Sequence, residues 1–357
     1  MADVMTAAVL HGKEDLRLEQ VALPRPGAGE IVLRVGAALT CGTDLKVYRR
    51  GYHAMMLTPP IPFGHEVAGV VSEVGEGVTS FQVGDRVVAL NSAPCDRCFW
   101  CKRAQQNLCE DLLFNNGAFA EFMRVPARIV EKNTLRVPAE MPLEHAALTE
   151  PLACVVRGME ESGAAAGDTM AVIGAGPIGL MFMHVAALAG VCVIAIVRRE
   201  SQRLAARIFG ATEIVVAGGD EETVAAVRAL TPGNRGVDVA IEAVATPDAW
   251  EWAVSMVRRG GVVNFFGGPP SGTVVALDTN RLHYGDIKLL ASFHHTPLSC
   301  RAAFDLLQSG RFKCAEYITK RAGLGDVPGL FERMLTRDDS AGVLDIKTAV
   351  FPAGVGL

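Results

Sequence analysis

Four cysteines, Cys95, Cys98, Cys101 and Cys109, stand as C-x2-C-x2-C with a fourth cysteine returning shortly after. Thiolates at this spacing close one tetrahedral cage around zinc, and a closed cage holds structure rather than substrate. Reactive chemistry must then lie elsewhere. A second, separate set of metal-ligand types is Cys41 with the pair His65-Glu66 and the later Glu150. The third chemistry-bearing segment is the turn Gly174-Ala175-Gly176-Pro177-Ile178-Gly179. Its first glycine ends an apolar run, Gly176 lets backbone approach a pyrophosphate, and Gly179 permits a helix to pack closely on a strand. The helix that opens at Pro177 offers unsatisfied N–H groups to phosphate. Glycines alone also serve as turns with no ligand nearby, so the strand before and the helix after carry this reading.

The elements that must position these residues fall into two patterns. Up to about Arg157 the chain is turn-rich, with short runs at Glu30 to Val35, Glu66 to Val74 and Arg86 to Ala89 separated by Pro-Gly, Gly-Glu-Gly and Gly-Asp turns. These runs predict short strands in an all-β, barrel-like lobe. From Gly167 strands alternate with helices: strands at Thr169 to Ile173, Val191 to Val197, Glu213 to Val216, Val237 to Glu242 and Val262 to Phe266. Helices are predicted at Pro177 to about Ala189, Glu200 to Phe209, Asp220 to Leu230 and Pro247 to Val257, and Asp286 to Phe293 supplies a final strand. Such alternation specifies an α/β fold with a doubly wound parallel sheet, whose ligand lies beyond the carboxyl ends of its strands.

At 357 residues the chain is long enough for two domains with cores of their own, and its 50% hydrophobic and 20% charged residues are those of a globular enzyme. A net charge of -5 with interspersed signs, and 6% aromatic residues, leave neither a basic stripe nor a base-stacking pattern, so no nucleic-acid partner is expected. Met1 to Leu10 lacks the marks of a secretory signal, and a cytoplasmic location is expected. The apolar stretch Met170 to Val197 is interrupted by Gly174, Gly176, Pro177, Gly179, His184 and Gly190, which suits strand, turn, helix and strand better than a membrane span. Nine cysteines without a signal read as reduced thiols and metal ligands. The four outside the metal sets, Cys154, Cys192, Cys300 and Cys314, read as small buried hydrophobes.

The end of the second strand should carry an acid if the cofactor ribose has a free 2'-hydroxyl, but the chain reads Val197-Arg198-Arg199-Glu200-Ser201-Gln202-Arg203. A guanidinium clamps a 2'-phosphate, so Arg198, with Arg199, Ser201 or Arg203 assisting, favours NADP over NAD. Solvated charges opening a helix are the competing explanation.

Together the residues resemble the zinc-dependent medium-chain dehydrogenases, the superfamily of alcohol, polyol and threonine dehydrogenases. The resemblance covers nearly the whole chain. It is carried by Cys41-Gly42-Thr43-Asp44, Gly64-His65-Glu66 with Gly69, Gly75 and Val78, Gly84-Asp85-Arg86-Val87, the four-cysteine lobe, Glu150-Pro151-Leu152 and the glycine turn. It implies a GroES-like catalytic domain over residues 1–157 and 294–357, with a structural zinc lobe near 92–112, and a Rossmann domain over 158–293. It implies two zinc ions per chain and a catalytic zinc held by Cys41, His65 and an acidic ligand, with Glu150 the first choice and Glu66 the second. Thr43 resembles the family's proton-relay hydroxyl, while Lys46 stands where some relatives carry a relay histidine, which leaves the outer end of the path open. Asp44 would orient His65 as a carboxylate behind the ligand. Lys347 could approach the cofactor pyrophosphate, and relatives are usually dimers or tetramers.

The expected activity is reversible hydride transfer between a secondary alcohol or polyol and NAD(P), with zinc lowering the barrier to deprotonation as it lowers bound water from about 15.7 to about 7. A zinc-free quinone or enoyl reductase on the same scaffold, or a catalytically silent nucleotide-binding protein, are the competing readings. His294 and His295 follow the last predicted strand near the cleft, where a cofactor or substrate contact and a structural role are both open. Tyr48, His53, Met55, Met56 and Phe114 are candidates for the substrate pocket, with core packing as the simpler account of each.

Overall fold

The computed structural model describes residues 3–336 and 345–352. Six parallel strands form one sheet in the spatial order Ala211–Val216, Cys192–Val197, Thr169–Ile173, Val237–Glu242, Val257–Phe265 and Lys288–Leu290. The sequence reverses direction of travel at Thr169–Ile173, the switch point beyond which sheets of this kind bind their ligands. The central strands are apolar on both faces because helices cover both. Ala171, Ile173, Ile194, Ile196 and Ala240 face one layer, while Met170, Val172, Val193, Ala195 and Val239 face the other.

The helix Pro177–Leu188 begins with proline at its first turn, where a missing N–H is harmless. Several expectations change in detail, among them the fifth strand, which starts at Val257 rather than Val262 and ends at Phe265, and the third, which starts at Ala211 rather than Glu213. The helix expected over Glu200 to Phe209 starts as a 3-10 turn, Glu200–Gln202, before Arg203–Ile208. The last strand is only Lys288–Leu290 rather than the whole of 286–293, because its outer edge is unpaired and few register bonds extend it.

The front of the chain builds a β-rich body. Its seven-stranded sheet contains Thr134–Arg136, Arg86–Ala89, Glu66–Val74 and Ile31–Leu39, with Phe122–Val125 also pairing to Ile31–Leu39. Two strands from the chain's tail complete it. Lys347–Phe351 lies antiparallel to Ile31–Leu39, and Ile318–Gly323 lies parallel to Lys347–Phe351.

The two bodies are joined by the helix Thr149–Ser162, which packs on the helices Pro297–Gln308 and Pro177–Leu188. The amide nitrogen of buried Asn264, on the fifth strand of the parallel sheet, lies within hydrogen-bonding distance of Gly158 O at 3.0 Å, Ser162 Oγ at 3.1 Å and Ser292 Oγ at 2.9 Å, and its two N–H groups are shared among them. Glu150 is thereby carried on an element anchored to the nucleotide-binding sheet. Among the described residues no helix is long and apolar enough to cross a membrane. All nine cysteines are free thiols. Cys300 and Cys314 are buried as expected, but Cys192, at the open end of its strand, is exposed.

Candidate active site and metal centres

Cys41 caps the helix Gly42–Arg50 in extended conformation, and its Sγ accepts the Thr43 N–H at 3.4 Å. This cap places Thr43, half-buried, two residues from the thiol. His65 enters from the start of the strand Glu66–Val74, which pairs along Ile31–Leu39. Asp44, in the first turn of the capped helix, accepts from His65 Nδ1 at 2.7 Å, with both side chains 3% exposed. That bond leaves Nε2 as the ring atom available to an ion. One ligand atom each from Cys41, His65 and Glu66 lies within 4.8 Å of the others. Burial drives the imidazole toward neutrality, but the adjoining Asp44 charge more than reverses this and holds His65 well above its usual range.

Glu66 is fully buried, and Lys347 Nζ meets its two oxygens at 2.7 and 2.6 Å. The same ammonium donates to Thr40 O at 2.9 Å. Its three donors are thus spent inside the protein. The expected pyrophosphate contact of Lys347 is therefore not made in this arrangement; the lysine neutralises the carboxylate beside the thiol and imidazole. Desolvation raises Glu66 above its ordinary value, with Lys347 opposing it.

Glu150 opens the helix Thr149–Ser162 and is 6% exposed. Desolvation first, then the neighbouring Glu66 charge, raise it to about 7, against the pull of His65. Glu66 rather than Glu150 shares the compact group with Cys41 and His65, and Glu150 groups instead with Cys154 and His294. Both carboxylates nevertheless feel His65 and Lys347.

The four-cysteine lobe is wound by two short 3-10 turns, Cys101–Arg103 and Gln106–Leu108, with Asp96 and Ala104 at positive φ to bend the chain back. The ligand sulfurs of Cys95, Cys98, Cys101 and Cys109 all lie within 4.8 Å of one another. Cys109 Sγ accepts the Cys95 N–H at 3.2 Å. The Cys101 amide lowers Cys98 to about 6, whereas burial raises Cys101 to about 12. An all-thiolate set of this compactness fits a tetrahedral ion with no position left open.

At the nucleotide edge, Gly174 has φ +105, and a Cβ on it would meet Val244 Cγ2 at 2.7 Å. A Cβ on Gly179 would meet Gly174 O at 1.9 Å, so the helix can approach the strand only without a side chain there. At Gly176, which caps the helix Pro177–Leu188, a Cβ would meet nothing within 4 Å. That open space at a helix amino end suits a phosphate. Arg198 is exposed directly beyond the strand Cys192–Val197. Arg203 is turned elsewhere: its Nε pairs with Glu200 Oε1 at 2.6 Å and a terminal nitrogen lies 3.4 Å from Ile214 O. Arg199 is half-buried, and its backbone N–H, like that of Arg198, donates to Gln202 Oε1.

Glu242 carries no role in the sequence reading, and several of the candidates that do take structural places. Glu242 ends its strand buried and accepts the Val244 and Ala245 N–H groups at 2.6 Å each, pinning the loop that packs on Gly174. An acid at a strand end is the only signal for it. His295 Nε2 is 2.9 Å from Asn91 Oδ1 and its Nδ1 is 3.2 Å from Cys300 Sγ, all buried, which makes it a structural tie. Tyr48 proves to be core, its ring tilted 59° against Phe331 and its hydroxyl donating to Glu14 O. His53 Nδ1 accepts the Met55 and Met56 amides and closes a local turn. Phe114 lies beside His294, ring centroids 5.4 Å apart. Lys46 reaches Gly268 O at 3.4 Å across the cleft.

Comparison with known proteins agrees with this architecture. The family model described as Alcohol dehydrogenase GroES-like domain matches residues 27–138, and the one described as Zinc-binding dehydrogenase matches residues 177–309. Sorbitol dehydrogenase of Bacillus subtilis is 30% identical over 355 residues, covering 98% of this chain and 97% of that protein. L-threonine 3-dehydrogenase of Pyrococcus furiosus is 35% identical over 345 residues, covering 94% and 95%. A solved zinc-binding dehydrogenase from Sinorhizobium meliloti 1021, bound to NADP, superposes with a TM-score of 0.87 at 30% identity, covering 98% of this chain and 100% of that one. With a GroES-like body, a Rossmann sheet and homology along its length, the chain belongs to the zinc-dependent medium-chain dehydrogenase superfamily and is an oxidoreductase of the alcohol and polyol type.

Proposed function

We propose that the protein oxidises a secondary alcohol or polyol reversibly to its carbonyl compound, with NADP preferred over NAD, a catalytic zinc at Cys41 and His65, and a structural zinc in the four-cysteine lobe. The observation that carries this reading is the compact Cys41, His65 and Glu66 group, with Asp44 on the far ring nitrogen and Thr43 alongside. Thiolate, imidazole and carboxylate are the donor types of an open zinc site. When bound, zinc supplies Lewis acidity toward the substrate oxygen and nicotinamide supplies the hydride acceptor.

The protein's own groups do the rest. Asp44 fixes the His65 tautomer. Thr43 receives the substrate's hydroxyl proton and passes it outward. Lys347 keeps Glu66 anionic beside the metal ligands, and Glu150, raised to about 7, is the second carboxylate able to enter the ligand set. Gly174, Gly176, Pro177, Ile178 and Gly179 seat the pyrophosphate, and exposed Arg198 meets a 2'-phosphate; the relative solved with NADP supports that preference. The protein acts in the cytoplasm as a homodimer or homotetramer on a small molecule.

The test is metal analysis of gently purified protein together with NADP and NAD reduction across a panel of secondary alcohols and polyols. Two zinc ions per chain and alcohol-dependent reduction are expected. A chain free of zinc, reducing quinones or enoyl compounds instead, would overturn the reading.

A further inference from the structure

Glu150, Cys154 and His294 form a second compact group of ligand types, one atom from each lying within 4.8 Å of the others. Glu150 and Cys154 are four residues apart on the helix Thr149–Ser162 and so share a face. His294 arrives from the segment after the last strand of the parallel sheet, with its backbone at φ +66. It is held from two sides: its Nε2 lies 2.6 Å from Ser92 Oγ, and Arg157 donates to its carbonyl oxygen at 3.2 Å. Glu150 is buried, while Cys154 and His294 are half-buried. No step proposed for the oxidoreductase uses Cys154 or His294.

We propose that these three residues are a third metal site, which takes a d-block divalent cation such as zinc or cadmium and inhibits the enzyme when filled. A thiolate and an imidazole beside one carboxylate select such ions over magnesium or calcium, which prefer all-oxygen shells. Around a tetrahedral zinc, ligand atoms sit about 3.5 Å apart, so closing the group needs shifts of at most about 1 Å. Binding forms a sulfur–metal bond and releases the Cys154 thiol proton to solvent. Glu150 has two oxygens; once one is committed here, its exchange with Glu66 at the neighbouring site is restrained. Inhibition rests on the proposed alcohol dehydrogenase reading, whereas the site itself does not.

The experiment adds cadmium to the protein as purified with its resident zinc. Total metal per chain, thiolate-to-cadmium ultraviolet absorbance and turnover are followed in the parent, Cys154→Ala and His294→Asn. Asparagine tolerates positive φ and keeps hydrogen-bonding groups near Ser92, so the second variant retains the backbone. The parent is expected to take up one more ion than either variant, or to bind it about tenfold or more tightly. Its added absorbance should be missing in Cys154→Ala, and its turnover should fall with the extra ion while that of the variants does not. Equal uptake in all three proteins overturns the site. Extra uptake with unchanged turnover overturns its inhibitory role. Absence of alcohol turnover in untreated parent counts against the dehydrogenase reading alone, since the ion count still decides the site.

Discussion

Asp44 and His65, 21 positions apart in the chain, share one buried hydrogen bond of 2.7 Å that sets which imidazole nitrogen faces Cys41. Asp44→Asn preserves the shape but removes the charge and permits the wrong tautomer. We expect catalytic metal affinity and kcat/KM each to fall about 10- to 100-fold. Elemental analysis should show one zinc lost and the lobe zinc retained; loss of both, or of neither, would contradict the assignment.

Lys347→Met leaves the Glu66 carboxylate buried without its partner. Removing one member of a buried pair costs about 3–5 kcal/mol, which denaturant unfolding will read as a lower midpoint. Combining it with Glu66→Gln should recover much of that loss. If the double variant is no more stable than Lys347→Met, the pair does not act as the structure indicates.

The acidity of Glu150 has a stability consequence. In metal-free protein it sits at about 7, above its ordinary 4.5. The folded state therefore holds a proton that the unfolded chain releases. That contribution is complete below about pH 4.5 and is lost as pH rises through about 7. The Tm of chelated protein should fall more steeply between about pH 5 and 8 than that of Glu150→Gln. Parallel melting curves would rule out a raised Glu150.

Arg198→Asp should turn cofactor choice toward NAD. A charge-assisted hydrogen bond to a 2'-phosphate contributes about 1.5–3 kcal/mol, so the NADP to NAD ratio of kcat/KM should drop about 10- to 100-fold. Arg203→Ala, whose guanidinium is occupied by Glu200, should move that ratio far less. Equal effects would place the two arginines in one role.

Gly179→Ala tests the nucleotide turn without touching the metals. Its methyl group would lie 1.9 Å from Gly174 O, so dinucleotide binding should be lost and Tm lowered while both zinc ions stay. Wild-type cofactor affinity in this variant would refute the close approach.

Much of the parallel sheet was legible because each strand is an apolar run stopped by glycine or a polar turn, as at Thr169 to Ile173 and Val237 to Glu242. The candidate ligands were legible as residue types at short spacing. What escaped were relations between distant segments. The helices Gly42–Arg50 and Thr149–Ser162 carry amphipathic faces in sequence, but which bodies those faces join is set by distant segments, and nothing local marks Lys347 as the partner of Glu66. The edge strand Lys288–Leu290 was overextended because an apolar run does not record where hydrogen-bonding partners stop. Tyr48 looked like a pocket residue by its neighbourhood in sequence, whereas its ring packs toward Phe331 in the core.

The Glu66–Lys347 pair spans 281 positions, which has a bearing on biosynthesis. Glu66 leaves the ribosome long before the lysine that neutralises it, and during that interval its strand cannot bury an unpaired anion cheaply. The buried surroundings of Glu66 are therefore completed only when the strand Lys347–Phe351 docks. Closure of the reactive pocket thus depends on a strand synthesised 281 residues after the carboxylate it neutralises.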